Sequence, residues 1–440
     1  MTHTTNIISA AIENLHIEKL NAMQVEAIDS IEKNQDTVLL APTGSGKTIG
    51  FLLPILKLLD ANKDQIQALV LTPSRELAIQ IEQVFKSMKT GFRSLCCYGG
   101  HSVSTEKKSL QANPALLIGT PGRIADHIRR GHINTTGIHT LVLDEFDKSL
   151  EFGFEREMRF IIELLEKLQK RILTSATHSL AIPDFTGMQN PVELNYLTAE
   201  AAEGLTLKVV MSDSLEKTDT LFRLLCHLGN HSTMVFCNHR EAVERISRFL
   251  ADRQLENDIF HGGLEQDERE RVLIKFHNGS VRILITTDLA SRGLDIPLVE
   301  NIIHYQLPST ETAFTHRNGR TARMHAQGNA FLLLAGEEKL PVYINEKPPI
   351  EPLPEETVVP KPSDWQTIYI SAGKKDKVNK VDIVGLLLQK GKLKKEELGL
   401  INVLDFVSFA AVKSNKVPEL LRLLRDEPLK KKKVKIAVAR

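Results

Sequence analysis

Cysteine is scarce in this chain: there are four among 440 residues, with Cys96 and Cys97 adjacent and Cys226 and Cys237 far apart. That spacing fits neither a zinc-ligand pattern nor a disulfide framework, and it points to reduced thiols in a cytoplasmic protein. Long apolar runs are missing too. No stretch approaches the ~20 residues needed to cross a bilayer, and Met1 to Asn6 are polar, so neither secretion nor membrane insertion is expected. A net charge of either sign is almost absent: the formal value is +1, with 25% charged and 42% hydrophobic residues. These proportions exclude a disordered or fibrous chain, and the length implies two or three domains, each with its own core.

The balanced charge conceals an asymmetry. From Thr367 to Arg440 there are 18 Lys and Arg against 8 Asp and Glu, a surplus of ten positive charges, which leaves 38 against 47 in the remainder, a deficit of nine. A basic end on an acidic body is what a chain shows when one module is given over to a polyanion such as nucleic acid. A solvated lysine face gives the same count, so the charge gains meaning only from the motifs before it.

Short β-branched runs alternate with amphipathic helical stretches over the first 340 residues, the pattern of parallel α/β sheets. The spacing predicts strands at Thr37–Ala41, Ala68–Thr72, Ala115–Gly119, Thr140–Asp144 and Arg171–Thr174, with a helix over Met158–Leu168. A second series starts near Leu205, with strands at Thr233–Cys237, Asp258–His261, Arg282–Thr286, Asn301–Tyr305 and Asn329–Leu334. Prolines recur among acids in 341–365, which reads as an extended, semi-rigid linker. Beyond it, Thr367–Ser371, Asp382–Leu388, Leu400–Val403, Phe406–Val412, Pro418–Leu424 and Val434–Ala439 read as strand, helix, strand, strand, helix, strand, the split βαβ order. The expected domains are 1–203, 204–340, the linker 341–365 and 366–440.

Ala41-Pro-Thr-Gly-Ser-Gly-Lys-Thr48 follows one of these strands and opens the apolar run Ile49–Leu59, the setting a phosphate-binding loop needs. Gly44 and Gly46 let backbone N–H groups turn toward phosphate, Lys47 can neutralise β/γ oxygens and the Thr48 hydroxyl can ligate Mg²⁺, with Pro42, Thr43 and Ser45 completing the loop. Asp144-Glu145-Phe146-Asp147 ends another strand. Such a cluster is often only a helix cap or solvated turn, but beside a phosphate loop it supplies Asp144 for Mg²⁺ and Glu145 to orient and deprotonate a water.

With these two motifs in place the chain resembles a DEAD-box helicase, and further motifs of that family follow in order across residues 20–325. They are Gln24, Pro73-Ser-Arg-Glu-Leu-Ala78, Gly99-Gly100, Thr120-Pro-Gly-Arg123, Ser175-Ala-Thr177, Val235-Phe-Cys-Asn238, His261-Gly262 with Gln266 and Arg269, Thr286–Asp295 and His316–Arg323. The resemblance implies two tandem RecA-like domains forming an ATP-gated clamp on RNA. It implies that Gln24 reads adenine, Asp295 contacts ribose and Arg320 and Arg323 act as arginine fingers. Arg75, Gly99, Gly100, Thr120, Arg123, His261, Gly262, Arg269 and Thr287 would grip the RNA backbone without reading sequence. Asp147, Ser175, Thr177 and His316 would couple the two activities. The chain departs from the family at Phe146, where alanine is usual, at Asn21 before Gln24, and at Ile7, where an aromatic is usual.

The tail resembles the RRM-like RNA-binding domain of DbpA-type DEAD-box proteins, in Ile368–Lys377, Asp382–Leu386 and Phe406–Val412. Only Tyr369, Phe406 and Phe409 offer rings for bases there, so Lys374, Lys375 and Lys377, with Lys430–Lys433, carry the expected contact to phosphates. The resemblance implies large-subunit ribosomal RNA as the target and a monomeric enzyme in ribosome assembly. The rival readings are a general RNA chaperone or degradation helicase, a non-catalytic ATP-gated RNA clamp, and a DNA helicase.

Overall fold

The computed structural model describes residues 2–42, 44–100, 102–177, 182–197, 204–291, 299–321, 327–344, 346–430 and 432–439. They fall into two compact units, one within 2–197 and one from Gly204 onward.

In the first unit seven strands form one parallel sheet: β1 (Asp36–Leu40), β2 (Ala68–Leu71), β3 (Ser94–Cys97), β4 (Leu116–Gly119), β5 (Thr140–Leu143), β6 (Lys170–Ser175) and β7 (Val192–Asn195), in the order β3-β4-β2-β5-β6-β1-β7. Side chains alternate across the pleat. Leu39, Val70, Ile118 and Val142 therefore enter one core, while Val38, Leu40, Leu69, Leu71, Leu141 and Leu143 enter the other. Burial on both faces explains why these strands read as continuous apolar runs.

The second unit repeats the plan. Its strands are β8 (Leu205–Ser212), β9 (Thr233–Phe236), β10 (Asp258–Phe260), β11 (Ile283–Thr286), β12 (Asn301–His304) and β13 (Gly328–Ala335), all parallel, in the order β10-β11-β9-β12-β13-β8. Counted within each sheet this is one strand order, with β7 added at the first sheet's edge. Two RecA-like α/β domains in tandem are thus present.

The tail adds β14 (Trp365–Ile370), β15 (Leu398–Val403) and β16 (Ser408–Lys413), a small ladder of β17 (Pro428–Leu429) and β18 (Lys432–Lys433), and β19 (Ile436–Val438). Its main sheet is antiparallel in the order β15-β16-β14-β19, the split βαβ topology, with Ile368, Ile370, Ala410 and Val412 facing the helices at Ile383, Leu387 and Leu420.

Several expectations needed correction. Strands β3, β7 and β8 and the short β17 and β18 were not foreseen. The helix expected over Met158–Leu168 spans Glu155–Glu163, starting earlier because Glu155 and Glu157 suit a helix N-terminus; Leu165 remains buried in the turns that follow. The stretch expected as a strand from Phe406 begins at Ser408, leaving Phe406 in a turn. Within the segment 341–365, expected as a spacer, residues 349–351 are laid against β8. Val209 N donates to Pro349 O (2.9 Å), Glu351 N donates to Val209 O (2.8 Å), and Lys208 pairs with Glu351 (2.8 Å). β8 is an edge strand, so its free backbone groups draw the passing chain.

Candidate functional site

Most of the motifs lie at or just beyond the carboxyl end of a strand, where open parallel sheets place their ligands, whereas Gln24 and His316 stand on helices. In the first unit β1 leads into the phosphate loop, β5 into Asp144–Asp147 and β6 into Ser175–Thr177, and β6 lies between β1 and β5.

Gly44 (φ +85°) and Gly46 (φ +89°) both take the left-handed conformation that a side chain disfavours. The helix Lys47–Leu58 starts at once, aiming its free N–H groups and positive dipole end at the loop. Lys47 is buried, and its Nζ donates to Ala41 O (2.5 Å) and Pro42 O (3.0 Å). Gln24 and Asn21 brace the loop from outside. Gln24 Nε2 donates to Gly46 O (3.3 Å) and Asn21 Nδ2 to Ser45 O (2.9 Å), while the two residues form a capping box on the helix Ala22–Lys33. Asn21 thus has a structural task, and Ile7 packs against the adjoining core.

Asp144 is 3% exposed, and its Oδ1 accepts a 2.5 Å bond from Thr174 Oγ1, which in turn accepts from Glu145 N (3.2 Å). Burial pushes the Asp144 carboxyl above its usual range, against the opposing pull of the Thr174 bond and the Lys47 charge. Glu145 has φ +45°, a conformation that costs a non-glycine residue energy and that is concentrated at functional sites. Phe146 is fully buried in the core, 6.1 Å from the Phe185 ring. Asp147 is buried as well. Ser175 and Thr177 bond to each other, with Thr177 N donating to Ser175 Oγ (3.1 Å).

Mg²⁺ suits this chemistry: Asp144 is a buried carboxylate held by a hydroxyl donor at a strand end, and Thr48 sits in the first turn of the phosphate-loop helix.

A second cluster gathers the expected RNA contacts of this unit. Arg75 lies so close over the Gly99-Gly100 turn that a Cβ on Gly100 (φ +101°) would sit 2.7 Å from Arg75 Nη1. Arg123 Nε donates to Tyr98 O (3.1 Å) and pairs with Glu106 (3.1 Å). Glu106 also accepts from Tyr98 N (3.2 Å) and bonds His127 Nε2 (2.8 Å), whose other ring nitrogen meets His132 (3.0 Å). Thr120 immediately precedes the helix Pro121–Arg129 that carries Arg123 and His127. Cys97, Glu106 and His127 bring their ligating atoms within 4.8 Å of one another, but the carboxylate already neutralises Arg123, so we read the trio as a buried salt-bridge hub. Glu106 was missed in the sequence because nothing local marks it.

In the second unit Arg317, fully buried, binds Asp288 (2.6 Å), Asn238 Oδ1 (2.8 Å) and Gln306 O (2.7 Å) and lies 5.3 Å over the Phe236 ring. It ties three motifs together, a role not singled out from sequence. His316 and Arg320, next to it in sequence, are buried, as is Arg269 on the helix Gln266–His277, and Thr287 follows β11. His261 is 3% exposed, its Nδ1 accepts from Gly263 N (3.1 Å), and burial lowers its pKa. Thr43, Asp295 and Arg323, all expected at the nucleotide site, lie outside the described residues.

In the tail Lys374, Lys375 and Lys377 are exposed, and the second lysine cluster joins them: Lys430 pairs with Asp382 (2.8 Å) and Lys432 with Asp376 (2.5 Å). The four cysteines are free thiols, and no described helix is long and apolar enough to cross a membrane.

Comparison with known proteins agrees with this geometry. Residues 21–184 match the DEAD/DEAH box helicase family, 216–325 the helicase conserved C-terminal domain, and 367–438 the DbpA RNA binding domain. The ATP-dependent RNA helicase DbpA of Bacillus subtilis (strain 168) is 30% identical, the alignment covering 98% of this chain and 96% of that protein. The protein of the same name in Escherichia coli (strain K12) is 30% identical, with 98% of each covered. The structure of S. cerevisiae Dbp5 bound to RNA and ADP BeF3 superposes with a TM-score of 0.66 at 27% identity, covering 75% of this chain and 88% of that one. The chain belongs to the DEAD-box family, in its DbpA branch, and is an ATP-dependent RNA helicase whose ATPase is stimulated by RNA.

Proposed function

We propose that this helicase is directed by its tail to large-subunit ribosomal RNA and rearranges a nearby helix there during ribosome assembly, acting as a monomer in the cytoplasm. The observation that carries the reading is the joining of two lysine clusters, more than fifty residues apart in sequence, into one exposed basic ridge on a module with a surplus of ten positive charges. Phosphates of a folded RNA are the natural counter-charge.

Within the core we assign nucleotide chemistry to residues 1–203, with 204–340 as its helicase partner, 341–365 as the connection and 366–440 as the RNA-targeting module. Gln24 and residues 42–48 hold ATP with Asp295, and Lys47 neutralises the terminal phosphates. Thr48 and Asp144 would hold Mg²⁺, which supplies charge neutralisation on the phosphate oxygens. Glu145, held in its left-handed turn, orients and deprotonates the attacking water. Arg320 and Arg323 stabilise the charge that develops as the γ-phosphoryl leaves. Arg75, Gly99, Gly100, Thr120, Arg123, His261, Gly262, Arg269 and Thr287 hold the RNA backbone, and Asp147, Ser175, Thr177 and His316 couple that grip to nucleotide state.

The test is the ATPase rate of the full chain with ribosomal RNA and with unrelated RNA, for the wild type, the triple variant Lys374→Ala, Lys375→Ala, Lys377→Ala, and Glu145→Gln. We expect the wild type to prefer ribosomal RNA, the triple variant to lose that preference, and Glu145→Gln to keep RNA binding without turnover. Equal stimulation of the wild type by both RNAs would favour a general RNA chaperone.

A further inference from the structure

RRM-like folds bind unstacked bases on aromatic rings of the open sheet face. In this tail β14 and β16 present Tyr369 and Phe409 on that face, 5.8 Å apart and edge to face, but the face is already occupied. Phe409 is 3% exposed, clustered with Ile274 and Ala439. Beside it Thr367 is buried, accepting from Asn278 Nδ2 (3.1 Å) and bonded to Ser280 Oγ (2.6 Å). The end of the helix Gln266–His277 and the turn after it therefore fill the place where bases would lie.

The tail's other candidate ring, Phe406, is in water. It is 69% exposed, in the turn between β15 and β16, although burying such a ring is ordinarily favourable by roughly 1.5–3 kcal/mol. The turn is fixed. Leu404 N donates to Val407 O (2.9 Å), while Lys374 N and Lys375 N donate to Leu404 O and Asp405 O (both 2.8 Å). A Cβ on Gly373 would sit 2.3 Å from Leu404 O, so the lysine turn and the Phe406 turn are locked together. Of the nearby acids, Asp376 and Asp382 are engaged by Lys432 and Lys430, and Asp405 is exposed beside the ring. Lys374 and Lys375 thus adjoin the turn that carries the exposed aromatic, with Lys377 exposed in the same lysine turn, a combination that matches the two faces of a nucleotide: an anionic backbone and a flat, apolar base.

We propose that Phe406 stacks on an unpaired base of the RNA whose phosphates the lysine ridge holds, so that the tail selects RNA with an extruded base. The inference rests on the ridge being the tail's RNA surface. Stacking recognises a π face and tolerates any base, so what is selected is an RNA shape rather than a sequence.

The experiment uses the full-length protein with ADP and a fluorescent RNA hairpin carrying an unpaired loop, titrated at several salt concentrations. Phe406→Ala should weaken binding roughly tenfold with an unchanged salt slope, and Phe406→Trp should restore it. Abasic substitution along the loop should reveal one position where the wild type loses affinity and Phe406→Ala loses nothing further. The triple lysine variant should lower the salt slope by about 2. If Phe406→Ala binds as tightly as wild type while the lysine variant weakens, the stacking inference is overturned and the ridge stands. If neither variant changes affinity, the ridge reading has failed with it. If Phe406→Ala alters protein association but not RNA affinity, the ring is a protein contact and the inference is likewise overturned.

Discussion

Gly100→Ala separates the RNA grip from the ATP site, because the structure assigns it two distinct effects. The first is local strain: Gly100 has φ +101°, where a side chain costs about 1–2 kcal/mol, enough to lower the melting temperature of a lobe this size by roughly 2–8 °C. The second is displacement: the new Cβ would lie 2.7 Å from Arg75 Nη1, so the guanidinium must move. That motion is cheap for stability, since it involves the end of a flexible side chain, but it removes Arg75 from the place where it would meet a phosphate. Loss of about 1.4 kcal/mol of that contact corresponds to a tenfold rise in the RNA concentration giving half-maximal ATPase. The maximal rate and the KM for ATP should stay within about twofold, since neither the phosphate loop nor Asp144 is touched. Gly91→Ala is the control, with φ +83° but nothing within 4 Å of the added carbon, so it should lower melting and leave RNA activation alone. Arg75→Ala combined with Gly100→Ala should be no worse than Arg75→Ala alone, because both act through one side chain. Normal RNA activation in Gly100→Ala, or additive effects in the double variant, would refute the reasoning.

Two further outcomes follow from buried titratable groups. Thr174→Val removes the hydroxyl that donates to Asp144; since that bond favours the ionised form, the carboxyl pKa rises further, and the acid limb of the ATPase pH profile should move to higher pH. His304, fully buried between Phe236 and Phe314, is held down to about 3 by burial, so it stays neutral when folded but takes up a proton in the unfolded chain below about pH 6.5. Stability linked to it is complete above pH 6.5 and falls with decreasing pH, by about 1.4 kcal/mol at pH 5.5. His304→Phe should lack that loss in melts compared at pH 7.5 and 5.5.

What could be read from sequence was whatever a strand end makes local. A continuous apolar run followed by glycines, acids or Ser-Ala-Thr marks both a buried parallel strand and the motif at its carboxyl edge, so β1, β2, β5, β9 and their site residues were legible together. The strands that escaped lack that signature. β3 reads Ser-Leu-Cys-Cys and is only partly buried at an edge, β7 is a second edge strand with three exposed positions, and β8 is the edge strand of the second sheet with two. Glu106 escaped for another reason: its partners Tyr98, Arg123 and His127 come from different elements, and only the fold brings them to one carboxylate. The lysine clusters were each visible, but not their union, which follows from β14 and β19 being antiparallel neighbours whose adjoining ends must meet.

The contact between tail and second lobe also decides how the tail can be tested. Thr367, Asn278 and Ser280 form a buried polar trio inside an otherwise apolar contact, and a buried polar group deprived of its partner costs about 1–3 kcal/mol. Cutting the chain after Trp365 would expose Ile274 and strip Asn278 and Ser280 of Thr367, so a truncated core would suffer a defect unrelated to RNA targeting. Thr367→Val isolates that defect: it keeps the shape of the side chain and every lysine while leaving Asn278 and Ser280 without their hydroxyl partner. We expect it to destabilise this contact by about 2 kcal/mol and to raise amide exchange in β14 and in the turn 278–280, while RNA affinity measured with ADP is unchanged. A fall in RNA affinity with a reduced salt slope would mean instead that docking itself builds the basic surface, and the ridge would then belong to tail and lobe jointly.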